Sequence, residues 1–426
     1  MSSRCAAAFL SSLLAVACAS GSGAPQAAGT TADPELEARA REIHRRVITI
    51  DTHDDIPFNF ATPEMNPCQP VDRQVDIPKM RAGGLDVGFF IVYVGQTERT
   101  PENYQQAEHQ AMTKFDAIHR MAEQLCPDQI GIAYTADDVA RIHGSGKLVA
   151  AIGIENGYVI GKDLGLLGKY HALGARYMTL AHGGHNDIAD SSTPRLDFGD
   201  RPEEHGGLST FGEQVVAEMN RLGIFVDVSH ISKNASLHAA RISRAPVIAS
   251  HSSTARHANV PRNMDDEQLR AVAATGGVVQ MVALGNFVKV SPAEQREAIE
   301  SLRQEMGITG GNRAIRELAP ERRAEYDRRR AEIDAKWPRP DVRDFVNHID
   351  HAVSVIGIDH VGISSDFDGG GGVLGWNDAS ETFNVTLELV RRGYTEEQIA
   401  KIWGQNLLRA WREMEQVARR LQAEGS

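Results

Sequence analysis

Cysteine is scarce: the 426 residues hold four, and two of them, Cys5 and Cys18, fall within the first eighteen. No CxxC pair exists, so a thiolate zinc site of the structural kind is excluded. Cys68 and Cys126 remain, either to pair in an oxidising compartment or to stay as two separate thiols. An excess of basic residues is also missing. Lys and Arg number 45 against 57 Asp and Glu, a formal charge of −12, which leaves no electrostatic footprint for nucleic acid or an anionic membrane surface. A small or peptide-like substrate fits such a chain better. The early apolar run, Ala6 to Ala17, is too short to span a bilayer, and the polar stretch Arg419 to Glu424 offers no C-terminal anchor.

The start of the chain reads as an export signal over residues 1–18, with Arg4 as its early charge, Ala6 to Ala17 as the apolar region and small residues around Cys18. Leu14-Ala15-Val16-Ala17-Cys18 resembles a bacterial lipobox, with Ala15 where a larger aliphatic residue is usual. Lipid attachment at Cys18 and simple cleavage both stay open, so the expected location is periplasmic or anchored to the bacterial outer membrane. Residues 19–33, rich in Gly, Ala, Ser and Thr, read as a flexible tether. Residues 34–426 then form the functional domain.

Within that domain, Val47-Ile48-Thr49-Ile50 is a continuous β-branched run, the mark of a strand covered on both faces. His53 and Asp55 follow directly, two apart, and so leave an extended backbone on the same side. Asp54 points to the opposite face, as a cap or turn residue. Further apolar runs over Leu85 to Val94, Lys147 to Ile154, Ala175 to Leu180, Ile224 to Val228, Pro246 to Ser250, Gly277 to Val282 and His360 to Ser364 bring the strands to eight, with helical segments between them. That alternation predicts a (β/α)₈ barrel, whose active site lies at the C-terminal strand ends. A doubly wound open sheet is the runner-up, but no Gly-rich dinucleotide loop follows the first strand. Residues 292–339, dense in Arg and Glu, read as a solvated helical insertion between strands seven and eight, with a lid or a homodimer contact as further roles.

Metal-type residues fall at those strand ends: His53 and Asp55 after the first, Glu155 after the third, His230 after the fifth and His251 after the sixth. His182 and Asp366 sit past the fourth and eighth. Three imidazoles and two carboxylates make a mixed nitrogen and oxygen set suited to Zn²⁺ or a similar ion. Five ligands exceed what one open tetrahedral site needs and suit two ions with one carboxylate bridging. Such a pair polarises a carbonyl and makes hydroxide available near neutrality, so hydrolysis is the expected reaction.

Taken together, Asp51-Thr52-His53-Asp54-Asp55-Ile56-Pro57, Gln74 to Gly84, Gly153-Ile154-Glu155-Asn156, Tyr177 to His182, Asp227-Val228-Ser229-His230, Ser250-His251-Ser252-Ser253 and Ser365-Asp366-Phe367-Asp368-Gly369 resemble the membrane (renal) dipeptidase family of the amidohydrolase superfamily. The resemblance spans about residues 40 to 415 apart from the insertion. It implies a dipeptidase with two Zn²⁺ per chain: His53 and Asp55 on one, His230 and His251 on the other, Glu155 bridging, and a bridging hydroxide attacking the peptide bond. It also implies that His182 stabilises the carbonyl oxygen, that Arg262 pairs with the carboxylate of a small dipeptide substrate, and that Asp366 is the acid/base. The chain departs from the family pattern at Ser364, where a glycine is common, and in the insertion. Hydrolysis of another small amide, lactone or lactam fits the same residues, as does a binding lipoprotein that uses the metals without catalysis.

Overall fold

The computed structural model describes residues 33–309, 314–315 and 318–424. The expected signal over residues 1–18 and the tether lie outside them, apart from Asp33. That residue belongs to the domain, because its carboxylate accepts from the N–H groups of Glu35 and Leu36 and caps the helix Pro34–Arg46.

Among the described residues nine strands form one parallel sheet: β1 (Ile50–Asp55), β2 (Val87–Tyr93), β3 (Ile130–Ile132), β4 (Leu148–Glu155), β5 (Ala175–Thr179), β6 (Phe225–Asp227), β7 (Ile248–Ser252), β8 (Val278–Val282) and β9 (Val361–Ser364). Eight of them follow one another in the order β1-β2-β4-β5-β6-β7-β8-β9. The ring nearly closes where Asp55 N–H donates to Phe367 O at 2.9 Å, just beyond β9. This is the expected barrel of eight strands, plus one. β3 pairs with Leu148, Val149 and Ala150 of β4 on the edge that β5 takes over from Ile152 onward, and three residues are too few for a periodic signal. β1 also starts at Ile50 rather than at Val47.

Strand alternation explains why the apolar runs are continuous. Ile50, Val87, Phe89, Val149, Tyr177, Phe225 and Val278 fill the barrel, while Phe90, Val92, Ile152, Ile154, Met178, Val279 and Met281 pack under the surrounding helices. The C-terminal helix Asn406–Glu424 plugs the lower end with Trp411 and Met414, and among the described residues the end bearing the polar residues is the one left uncovered. Between β8 and β9 the insertion is helical as expected: Ala293–Glu305 and Pro320–Lys336 close around their own small core of Leu302, Ile308 and Tyr326. Cys68 and Cys126 are disulfide-bonded, with Cα atoms 5.9 Å apart, which decides between the two alternatives open in the sequence. The bond ties the loop after β1 to the end of the segment that starts with the helix Pro101–Arg120.

Helix Val342–Ile356 carries His348, fully buried, which joins two of the loops at the open end. Its Nε2–H donates to Val288 O at 2.8 Å, and its Nδ1 accepts from Thr254 N–H at 3.0 Å. A second proton would displace the Thr254 donor, and burial holds this imidazole down at about 4. The unfolded chain protonates it near 6.5, so protons favour unfolding, and this stability, complete above pH 6.5, drains as pH falls toward 4. Between pH 7 and pH 4.5 the loss from this site amounts to about 2 kcal/mol. Denaturant unfolding at those two pH values should show the gap shrinking by about that amount in His348→Gln; an unchanged gap would contradict the assignment.

Candidate metal centre

Four strand ends deliver the five expected ligands to one point. His53 and Asp55 come from β1, Glu155 from β4, His230 from the turn after β6 and His251 from β7. The local backbone bends to make this happen. His230 and Asp366 are at φ of 67° and 58°, and Asn156, next to Glu155, is at 80°. Left-handed φ is costly for a residue with a Cβ and clusters where a side chain must be aimed.

Glu155 stands at the centre, with its two oxygens facing different groups. Oε2 is 3.5 Å from His53 Nε2, which is itself 3.6 Å from Asp55 Oδ2. Oε1 is 3.0 Å from His230 Nε2, 3.3 Å from His251 Nε2 and 3.6 Å from His182 Nε2. One carboxylate therefore serves two donor sets.

The outer nitrogens of two imidazoles are fixed by neighbours, which leaves the inner ones as lone pairs. Tyr177 OH donates to Thr52 O at 2.9 Å and so must accept from His53 Nδ1–H, also at 2.9 Å. Ser250 Oγ donates to Asp227 Oδ2 at 2.6 Å and accepts from His251 Nδ1–H at 2.8 Å. Asp227 is itself held by Thr179 Oγ and by the N–H groups of Ser229 and Ser250. His53 Nε2 is then buried without a hydrogen-bond partner, and the Nε2 atoms of His230 and His251 face each other at 2.8 Å. Two such nitrogens need a cation or a proton between them. The residues fit divalent metal ions, with ligand atoms in three groups, His53/Glu155/His251, Glu155/His182/His230 and His53/Asp55/Asp366, each within 4.8 Å.

Charge follows from this crowding. Burial opposes ionisation of Glu155, but the four surrounding imidazoles outweigh it and hold the carboxylate well below its usual range. Burial keeps His251 neutral, down to about 3, and lowers His230 and His182 as well. Burial also raises the carboxyl of Asp366, and the nearby acids Asp55 and Glu155 raise it further. Its Oδ1 lies 4.0 Å from His53 Nε2. Arg262 is buried, donating to His251 O at 3.1 Å and lying 5.3 Å from the Phe287 ring centroid. Among the described residues no carboxylate is within ion-pair distance of it, and burial lowers it to about 10.

A model of the membrane dipeptidase family, peptidase family M19, matches residues 37–425. The chain belongs to this family. Membership makes it a peptide-bond hydrolase of the metallopeptidase type. Dipeptidase ataJ of Aspergillus terreus is 32% identical over 416 residues, which covers 91% of this chain and 90% of that protein. Dipeptidase verJ of Clonostachys rogersoniana is 30% identical over 404 residues, covering 91% and 89%. Among solved structures, the probable dipeptidase PvdM from Pseudomonas aeruginosa is 34% identical with a TM-score of 0.80, covering 91% of this chain and all 100% of that one. A metallo peptidase from Rhodobacter sphaeroides, liganded with a phosphinate mimic of the dipeptide L-Ala-D-Ala, shares the fold at a TM-score of 0.65 and 22% identity, covering 86% and 99%.

In this M19 chain the structure brings together all eight residues singled out from the sequence. It corrects one neighbour: Asp54 neither caps nor turns. It lies inside β1, fully buried, its oxygens facing the Asp51 carboxyl and no other hydrogen-bond partner among the described residues, and burial together with Asp51 pushes its carboxyl well up. Tyr93, Tyr177, Asp227 and Ser250 have no role assigned from the sequence, because each sits within a strand pattern that gives it no signal of its own. If Tyr177 sets the His53 tautomer, Tyr177→Phe removes the acceptor at Nδ1 while keeping the ring. Metal affinity measured by competition with a chelator should fall about 10- to 100-fold, and unaltered affinity would leave Tyr177 as a packing residue only.

Proposed function

We propose that this M19 enzyme is a dipeptidase with two zinc ions, held by His53 and Asp55 on one side, by His230 and His251 on the other, and joined by Glu155. The observation that carries this reading is the division of the Glu155 oxygens between the two imidazole sets. Imidazoles mixed with carboxylates, and no thiolate, suit zinc. When bound, two such ions polarise a carbonyl and lower the pKa of water toward neutrality.

The chain's own residues do the rest. Arg262, a buried guanidinium with no acid within ion-pair distance among the described residues, takes the free carboxylate of the dipeptide, for which its planar fork is shaped. His182, 28% exposed on its side chain and close to Glu155, directs its imidazole at the scissile carbonyl oxygen. Asp366 takes a proton from the attacking water and returns it to the leaving amine. The Cys68–Cys126 disulfide supports the proposal that the protein is exported, since such bonds persist in oxidising compartments.

Metal analysis of the purified protein should give close to two divalent ions per chain, with hydrolysis of dipeptides lost on chelation and restored by zinc. One ion per chain at full activity would refute the paired site. Asp366→Asn keeps the shape but not the basic oxygen. Turnover should drop by about 10² to 10⁴-fold while both metals and inhibitor binding are retained; metal loss instead would make Asp366 a ligand.

A further inference from the structure

One charged side chain beside the metal centre has no role in the chemistry above. Lys114 projects from the helix Pro101–Arg120 and is only 4% exposed. Among the described residues it makes no hydrogen bond or ion pair. Its Nζ lies 5.2 Å from the centroid of the Phe58 ring and 5.6 Å from that of Tyr93. The Tyr93 ring is in turn 4.8 Å from the ring of His182, and Tyr93 pairs in register with Glu155. Phe58, just past β1, is 48% exposed and forms the rim on that side. Aromatic faces attract an ammonium, but they do not replace the water or counter-ion lost on burial. Burial accordingly lowers the lysine from its usual range, with the acids Asp55 and Glu155 opposing the shift from across the site.

Position says what the missing counter-ion is. In the ring of eight strands, β2 and β7 are four places apart and so face each other across the open end. Arg262 belongs to the β7 side, where it holds His251 O; Tyr93 and Lys114 belong to the β2 side. A dipeptide with its carboxylate on Arg262 and its peptide bond above Glu155 extends its N-terminal residue toward Lys114. A second cation, Arg195, acts on Tyr93 and is already paired with Asp197. We propose that Lys114 is a specificity residue that selects dipeptides with an acidic side chain on the N-terminal residue. This inference rests on the dipeptidase reading.

The test compares kcat/KM for Glu-Ala and Gln-Ala, which differ in one charge, in the zinc-loaded enzyme and in Lys114→Gln and Lys114→Met. The parent should prefer Glu-Ala by about ten-fold or more, mainly through KM, and the ratio should fall to near one in both variants. Equal kcat/KM for the two peptides in the parent, which requires no variant to fold, overturns the inference and leaves the dipeptidase reading standing. A Glu-Ala preference that survives in both variants also overturns it, as does a parallel loss on both peptides, which marks Lys114 as a support for Tyr93. Hydrolysis of neither peptide by folded, zinc-loaded protein that cleaves other dipeptides overturns the inference alone, and cleavage of no dipeptide at all overturns the dipeptidase reading with it.

Discussion

The structure depends on the placing of one buried carboxylate, Glu155, among four imidazoles at the open end of the barrel. Its oxygens approach His53, His182, His230 and His251 at 3.0 to 3.6 Å, and Asp55 and Asp366 stand just beyond. Without positive charge at the centre, acids would repel acids and lone pairs would face lone pairs. The tautomer locks through Tyr177 and Ser250 have meaning only because the inner nitrogens must present lone pairs to a cation. Even the barrel interior follows, since the Tyr177 ring both stacks on Phe89 in the core and offers its hydroxyl to His53.

A division of labour runs along the barrel axis. The lower end is sealed by Trp411 and Met414 from the last helix, while the upper end is left to polar residues on short strand extensions and loops. Those loops are held from outside. His348 grips the segment after β7, and the Cys68–Cys126 bond fixes the segment after β1. Rigid support of this kind keeps ligands within the few tenths of an ångström that coordination demands.

Much of this was legible in the sequence, and the reason is geometric. In a parallel barrel the C-terminal strand ends converge, so the positions of His53, Asp55, Glu155, His230 and His251 at the ends of apolar runs already place them on one face. What stayed hidden did so for equally specific reasons. β3 is three residues long, too short to show a period. Asp54 sits in a strand whose register shifts between Asp51 and Asp54, and nothing in the local sequence shows that it is buried within the strand rather than at a turn. Tyr177 and Ser250 look like ordinary members of their strands, and Lys114 looks like part of a solvated helix face. The pairing of Cys68 with Cys126 needed the distance across 58 residues of chain. In each case the missing fact was which atoms meet, which no local pattern encodes.

The left-handed backbone at Asn156, His230, Asp366 and Asp368 carries one more consequence. Glycine adopts that conformation with far less steric cost, so these four positions are held against the preference of their own backbone. Selection for heat resistance alone would drift toward glycine there, and at His230 and Asp366 each gain in durability would erase a side chain from the centre. The working protein is in this sense a compromise written into its turns, held furthest from its backbone preference at the points where its chemistry is most demanding.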